Sequence, residues 1–129
     1  MQSGNHGGLS LFLTMKNLKN VICFMQLNDY QEAALKTCLP SSYKLSYLVA
    51  GLAAEAGEVA GKYAKYVRDG TPLDTLRDDI EKEIGDILWF IAILADYHGT
   101  SLEEIARGNI LKLSSRKERG VLGGSGDNR

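Results

Sequence analysis

From residue 26 onward, apolar side chains recur three and four positions apart, and no stretch keeps the apolar–polar alternation of a strand. In the first periodic segment Asn28 is the expected helix cap, and Tyr30, Ala33, Ala34 and Cys38 mark one face before Pro40 ends it. Ser41 and Ser42 can cap a second helix over 42–68, whose inner face collects Tyr47, Leu48, Leu52, Glu55, Val59, Tyr63 and Tyr66. Arg68-Asp-Gly-Thr-Pro72 then reads as a turn, because Gly70 stops one helix and Pro72 prevents its continuation. A third helix is predicted over 74–98, with Asp74, Asp78 and Asp79 in its first turns, where the helix dipole favours negative charge. Ser101 and Glu104 form a capping box for a fourth, over 101–117. The expected fold is all-α, four helices built on an antiparallel pair.

Two features of that pattern reach beyond one chain. From Ile84 to Ala95 the third helix is apolar almost all round, interrupted only by Gly85 and Asp86. Four short helices cannot enclose such a helix alone, so the bundle is expected to be completed by oligomerisation. Gly51, Gly57 and Gly61 each cost the second helix about 1 kcal/mol relative to Ala, which suggests close approach of another helix or a ligand.

Polar residues set into apolar runs carry the candidate chemistry. Glu55 and Glu58 lie three apart on the second helix, and Glu83 and Asp86 three apart on the third, so each pair shares a helix face. Counted from the turn, both pairs reach the same height, roughly 16–18 Å away at about 1.5 Å rise per residue. Four carboxylates would then face one another in a poorly solvated groove, which is tolerable only when cations neutralise them. Oxygen donors without His or Cys select Mg²⁺ or Mn²⁺ over zinc. A ferritin-like di-iron centre is excluded because no Glu-x-x-His occurs. Lys62 and Lys65 extend the acidic stripe towards the turn, and Asn109, Lys112 and Arg116 recur at helical spacing on the fourth helix. These can grip phosphate oxygens beyond the metals, the pattern of a polyphosphate substrate. The plainer reading of Lys62 is an ordinary pair with Glu58 one turn back. Trp89 and Phe90 are read as core.

Composition narrows the remainder. Net charge is −1 over 129 residues, with no basic stripe for nucleic acid. Cys23 and Cys38 have no metal-ligand spacing and suit a reducing interior as free thiols. No apolar run approaches the roughly 20 residues of a membrane span, and residues 9–13 lack what a signal peptide requires. A cytoplasmic protein is expected. Residues 1–24 read as a poorly organised extension, with Met25 a candidate start, residues 25–119 as the helical domain and residues 120–129 as a Gly-rich tail.

Glu55-x-x-Glu58 followed 25 residues later by Glu83-x-x-Asp86 resembles the signature of the MazG-like all-α nucleotide pyrophosphohydrolases. Asn28-Asp-Tyr-Gln31, Asn109-Ile-x-Lys112-Leu and the closing Gly126-Asp-Asn-Arg129 are similar to small phage and bacterial members. The resemblance implies hydrolysis of a ribo- or deoxynucleoside triphosphate to the monophosphate and pyrophosphate. It implies two or more Mg²⁺ or Mn²⁺ ions per site, and a homodimer or dimer of dimers with sites between protomers. Glu55, Glu58, Glu83 and Asp86 would be metal ligands, and one of those glutamates or a metal-bound base would deprotonate the attacking water. Lys62, Lys65, Asn109, Lys112 and Arg116 would hold phosphates or sugar, with the tail closing over the nucleotide. The short chain and its tail lean towards (d)GTP. The competing readings are a relative acting on a pyrimidine nucleotide, a nucleoside diphosphate or phosphoribosyl-ATP, and a helical oligomerisation module without activity.

Overall fold

A computed structural model describes residues 25–126. Four helices follow in order: α1 Leu27–Leu35, α2 Leu45–Asp69, α3 Leu73–Tyr97 and α4 Leu102–Glu118, with no strand among the described residues. The chain is all-α, as its periodicity predicts. Residues 1–24 and 127–129, hence the extension and most of the Gly126–Arg129 motif, lie outside the described residues.

Each boundary has a local cause. α1 is capped two residues earlier than expected, by Gln26 rather than Asn28. The Gln26 side chain accepts from the N–H of Asp29, and the Asp29 carboxylate accepts from the Gln26 N–H at 3.0 Å. α2 begins at Leu45, not at residue 42, because residues 39–43 are spent on a turn in which Ser42 and Tyr43 N–H donate to the Leu39 carbonyl. The Tyr43 hydroxyl donates to Asp96 at 2.7 Å, pinning that turn to α3. Gly70 ends α2 at φ +62°, a conformation that spares glycine the Cβ clash of other residues, and its N–H donates to Tyr66 O. Ser101 and Glu104 form the expected reciprocal capping box on α4.

α2 and α3 pack along their length as an antiparallel pair: Lys62 meets Glu83 near the middle, and Gly51 meets Phe90 farther from the turn. α1 and α4 pack on α3 and on each other. The core therefore gathers at the end away from the turn, where Ala34, Leu48, Phe90, Ala92, Ile93, Ala95 and Leu102 are buried. Trp89 meets Phe90 edge-on at 5.0 Å between centroids, and its indole N–H donates to Thr37 Oγ1 at 2.7 Å. Both rings thus belong to the packing, as read from the sequence. Burial all round α3 is met only from Trp89 to Ala95, since Ile84 stays 52% and Leu88 36% exposed among the described residues.

The three glycines of α2 divide. A Cβ on Gly51 would stand 2.2 Å from the Phe90 ring, so the close approach expected of this backbone occurs there. Gly57 and Gly61 face open space among the described residues.

Gln31 closes the Asn28–Gln31 motif, and its packing role is visible only in the fold. It is buried on α1, and its amide donates to Ala92 O at 3.3 Å and Thr100 O at 3.2 Å while accepting from Leu102 N–H at 2.8 Å. One side chain thereby joins three elements and satisfies an otherwise unpaired amide at the start of α4.

Candidate metal and phosphate site

The carboxylates meet where the two long helices face each other. One turn of α2 separates Glu55 from Glu58, and the antiparallel register sets Glu83 of α3 opposite. Oxygens of Glu55, Glu58 and Glu83 lie within 4.8 Å of one another. Glu55 and Glu83 are half-buried, whereas Glu58 and Asp86 are exposed. Asp86 falls outside that tight set, a turn further along α3, yet close enough for its charge to act on Glu55.

Electrostatics follow from this crowding. Burial, then the charges of Glu58, Asp86 and Glu83 and a hydrogen bond with Glu83, push the Glu55 carboxyl above the ordinary carboxylate range. Without cations Glu55 thus holds its proton more tightly than a lone carboxylate does. Lys62 supplies the adjacent positive charge. Its ammonium lies 3.0 Å from Glu83 Oε1, across the hairpin and not along α2 towards Glu58. The hydrogen bond to Glu83 is also the main reason that its pKa is raised. Register explains the choice: Glu83 is half-buried opposite, while Glu58 turns out to solvent.

Beside the carboxylates runs an open trough lined by Ala54, Gly57, Glu58, Gly61, Lys62 and Lys65. Its floor is helix backbone with little side chain above it, and its rim bears two ammonium groups and one carboxylate. Such a surface admits a large polyanion once cations offset the glutamates.

The predicted residues of the fourth helix are placed differently. Asn109 and Lys112 are exposed on α4, which packs on α1 and α3. Arg116 is buried, and its guanidinium donates to the Gly126 carbonyl at 3.4 Å, holding the tail against α4. In the sequence Tyr30 belongs to an apolar face and to the Asn28–Gln31 motif. The structure sets its hydroxyl 3.5 Å from Gly85 O, between Glu83 and Asp86 in sequence, and burial followed by the Asp86 charge raises its pKa. The segment Asn28–Gln31 thus touches the acidic helix, which spacing within α1 alone could not reveal.

The sequence profile of the MazG nucleotide pyrophosphohydrolase domain matches residues 44–121, spanning α2, α3 and α4. The chain belongs to the MazG nucleotide pyrophosphohydrolase family. A curated relative, the Gene 37 protein of Mycobacterium phage L5, is 42% identical over 114 residues, covering 81% of this chain and 100% of the relative. No solved structure matches the chain. The family is the one that the carboxylate spacing resembles, and nucleotide pyrophosphohydrolysis is the activity that the MazG domain carries. Divalent-metal dependence is general in the MazG family, and the acidic cluster is of the kind that it requires. Among the described residues no helix is long and apolar enough to cross a membrane.

Proposed function

We propose that this MazG protein hydrolyses a nucleoside triphosphate, ribo or deoxy, to the monophosphate and pyrophosphate, using Mg²⁺ with Mn²⁺ as a substitute. The observation that carries the reading is the convergence of Glu55, Glu58 and Glu83 within 4.8 Å, from two helices, beside Lys62 and Lys65. The donor set fits a hard cation: it is all carboxylate oxygen, partly withdrawn from water, and crowded enough to raise the Glu55 pKa. Glu55, Glu58 and Glu83 would hold the first ion, with Asp86 beside them for a second. Divalent ions supply shielding of the phosphate oxygens and acidification of water.

The protein's own groups do the remainder. Lys62 and Lys65 bind phosphate oxygens along the trough and orient the triphosphate. A carboxylate of the cluster takes the proton as water attacks the α-phosphorus. The new P–O bond forms as the bond to the bridging oxygen breaks, and pyrophosphate leaves. Asn109 and Lys112 hold phosphate or sugar from α4, and Arg116 positions the tail that carries Gly126. A homodimer or dimer of dimers covers the apolar surface left open near the turn, at Tyr63, Val67, Leu73 and Ile84. The substrates place the enzyme in a cytoplasm, that of an infected host if this chain, like its relative, is phage-borne.

The test is a screen of the eight common nucleoside triphosphates with Mg²⁺ and with Mn²⁺, reading pyrophosphate and monophosphate together. (d)GTP is the expected preference. Orthophosphate as the product, or no turnover of any triphosphate, would overturn the reading.

A further inference from the structure

Lys62 is positioned to do something before any nucleotide arrives. Its ammonium rests on Glu83 Oε1 at 3.0 Å, with the two side chains only 27% and 12% exposed. Glu83 is also one of the three carboxylates whose oxygens converge within 4.8 Å. The group best placed to receive a divalent ion is therefore already engaged by a cation. A carboxylate that held both would bring an ammonium close to a dication in a sheltered place, where like charges repel strongly. Simultaneous occupancy is disfavoured, and the four-carbon stem of lysine gives its ammonium room to move.

We propose that Lys62 is the resident counter-ion of the ion-free cluster, and that it gives up Glu83 when a divalent ion is bound and turns to the phosphates of the incoming substrate. The proposal rests on the pyrophosphohydrolase reading for the nature of the site. It adds a coupling to that reading: the ion alone meets a competitor, whereas the ion with its nucleotide offers the displaced ammonium a new anionic partner. Ion affinity is then low without nucleotide and higher with it, so the site loads with the complex in preference to the bare metal.

The experiment compares Mn²⁺ binding by the full chain, as wild type, Lys62→Met and Lys62→Arg, by calorimetry and by the electron paramagnetic resonance of unbound Mn²⁺. Without nucleotide, Lys62→Met should bind Mn²⁺ about tenfold more tightly than wild type, while Lys62→Arg stays close to wild type. With a non-hydrolysable α,β-methylene triphosphate present, that advantage should vanish. Melting adds an independent readout: Lys62→Met should be less stable than wild type in ion-free buffer and equally stable at saturating Mn²⁺. Unchanged Mn²⁺ affinity in Lys62→Met, or an equal loss of melting temperature with and without the ion, overturns the proposal. Should Lys62→Met not fold, the ¹⁵N signal of the wild-type ammonium decides. It must change on saturation with Mg²⁺, and a signal that does not change overturns the proposal. Wild type that binds Mn²⁺ and turns over nucleotide, beside a Lys62→Met variant with unaltered affinity, defeats this inference alone. Wild type that binds no Mn²⁺ defeats the enzymatic reading and this inference together.

Discussion

Away from the turn, the α2–α3 hairpin is enclosed: Leu48 and Ile93 are fully buried, and the tip of the Phe90 ring abuts the Gly51 backbone. Towards the turn, the same two helices leave Val67 77% exposed and Tyr63, Leu73 and Ile84 largely open. The difference is coverage, not composition, because α1 and α4 reach only the first half. Glu55, Glu58 and Glu83 sit where the two halves join. Part of the site's framework is therefore rigid within one chain, and the half carrying Lys62 and Lys65 lacks a second layer. This contrast shows how a cluster of like charges can sit here: the enclosed half fixes the helices, and the junction stays open to solvent.

Changes at the junction should have the largest effect. Glu58→Gln or Asp86→Asn is expected to lower turnover by at least about 100-fold while circular dichroism stays helical. A variant with full rate in Mg²⁺ would remove the carboxylates from the mechanism. Next, Ile93→Ala in the enclosed half should cost about 2–5 kcal/mol in denaturant unfolding. Val67→Ala in the open half should change stability by no more than about 0.5 kcal/mol in a monomer. A larger, concentration-dependent loss at Val67 would show that a second copy covers it.

The glycines of α2 sharpen the same contrast. Gly51→Ala drives a methyl group into the Phe90 ring and should destabilise by about 1–3 kcal/mol. Gly57→Ala meets nothing among the described residues and should stabilise by up to about 1 kcal/mol, unless a partner helix or nucleotide lies on that backbone. Lost activity with raised stability in Gly57→Ala would locate the substrate in the trough.

The smallest effect concerns pH. The Thr100 hydroxyl, then the Ser101 backbone N–H, hold Glu104 below the ordinary carboxylate range. Its folded pKa is lower than its unfolded one, so its contribution is complete above the unfolded value. The contribution fades as pH falls through the folded value. Glu104→Gln should flatten the acid side of a plot of melting temperature against pH, and leave the alkaline side unchanged.

Much of this molecule can be read from its residues. Period, turn chemistry and the Ser101–Glu104 box predict α2, α3 and α4 to within a few residues. Equal spacing from Gly70 and Pro72 brings Glu58 level with Glu83, because helix rise is constant. What escapes such reading depends on side chains meeting across elements. Lys62 pairs with Glu83 rather than Glu58 because of burial opposite it, which i,i+4 spacing does not encode. Arg116 lies under the tail, and Tyr30 lies against Gly85, for reasons that appear only once helices are placed side by side. Gln26 displaces Asn28 as the cap because its reciprocal bond with Asp29 outweighs intrinsic preference.

The amide of Gln31 has one further consequence, which concerns the order of events. Its partners Ala92, Thr100 and Leu102 follow it by 61 to 71 positions. As the polypeptide leaves the ribosome, α1 finds no seat until the α3–α4 corner has emerged, whereas α2 and α3 need only a three-residue reversal to meet. The long hairpin should therefore form early, and the first helix to be synthesised should be among the last to dock.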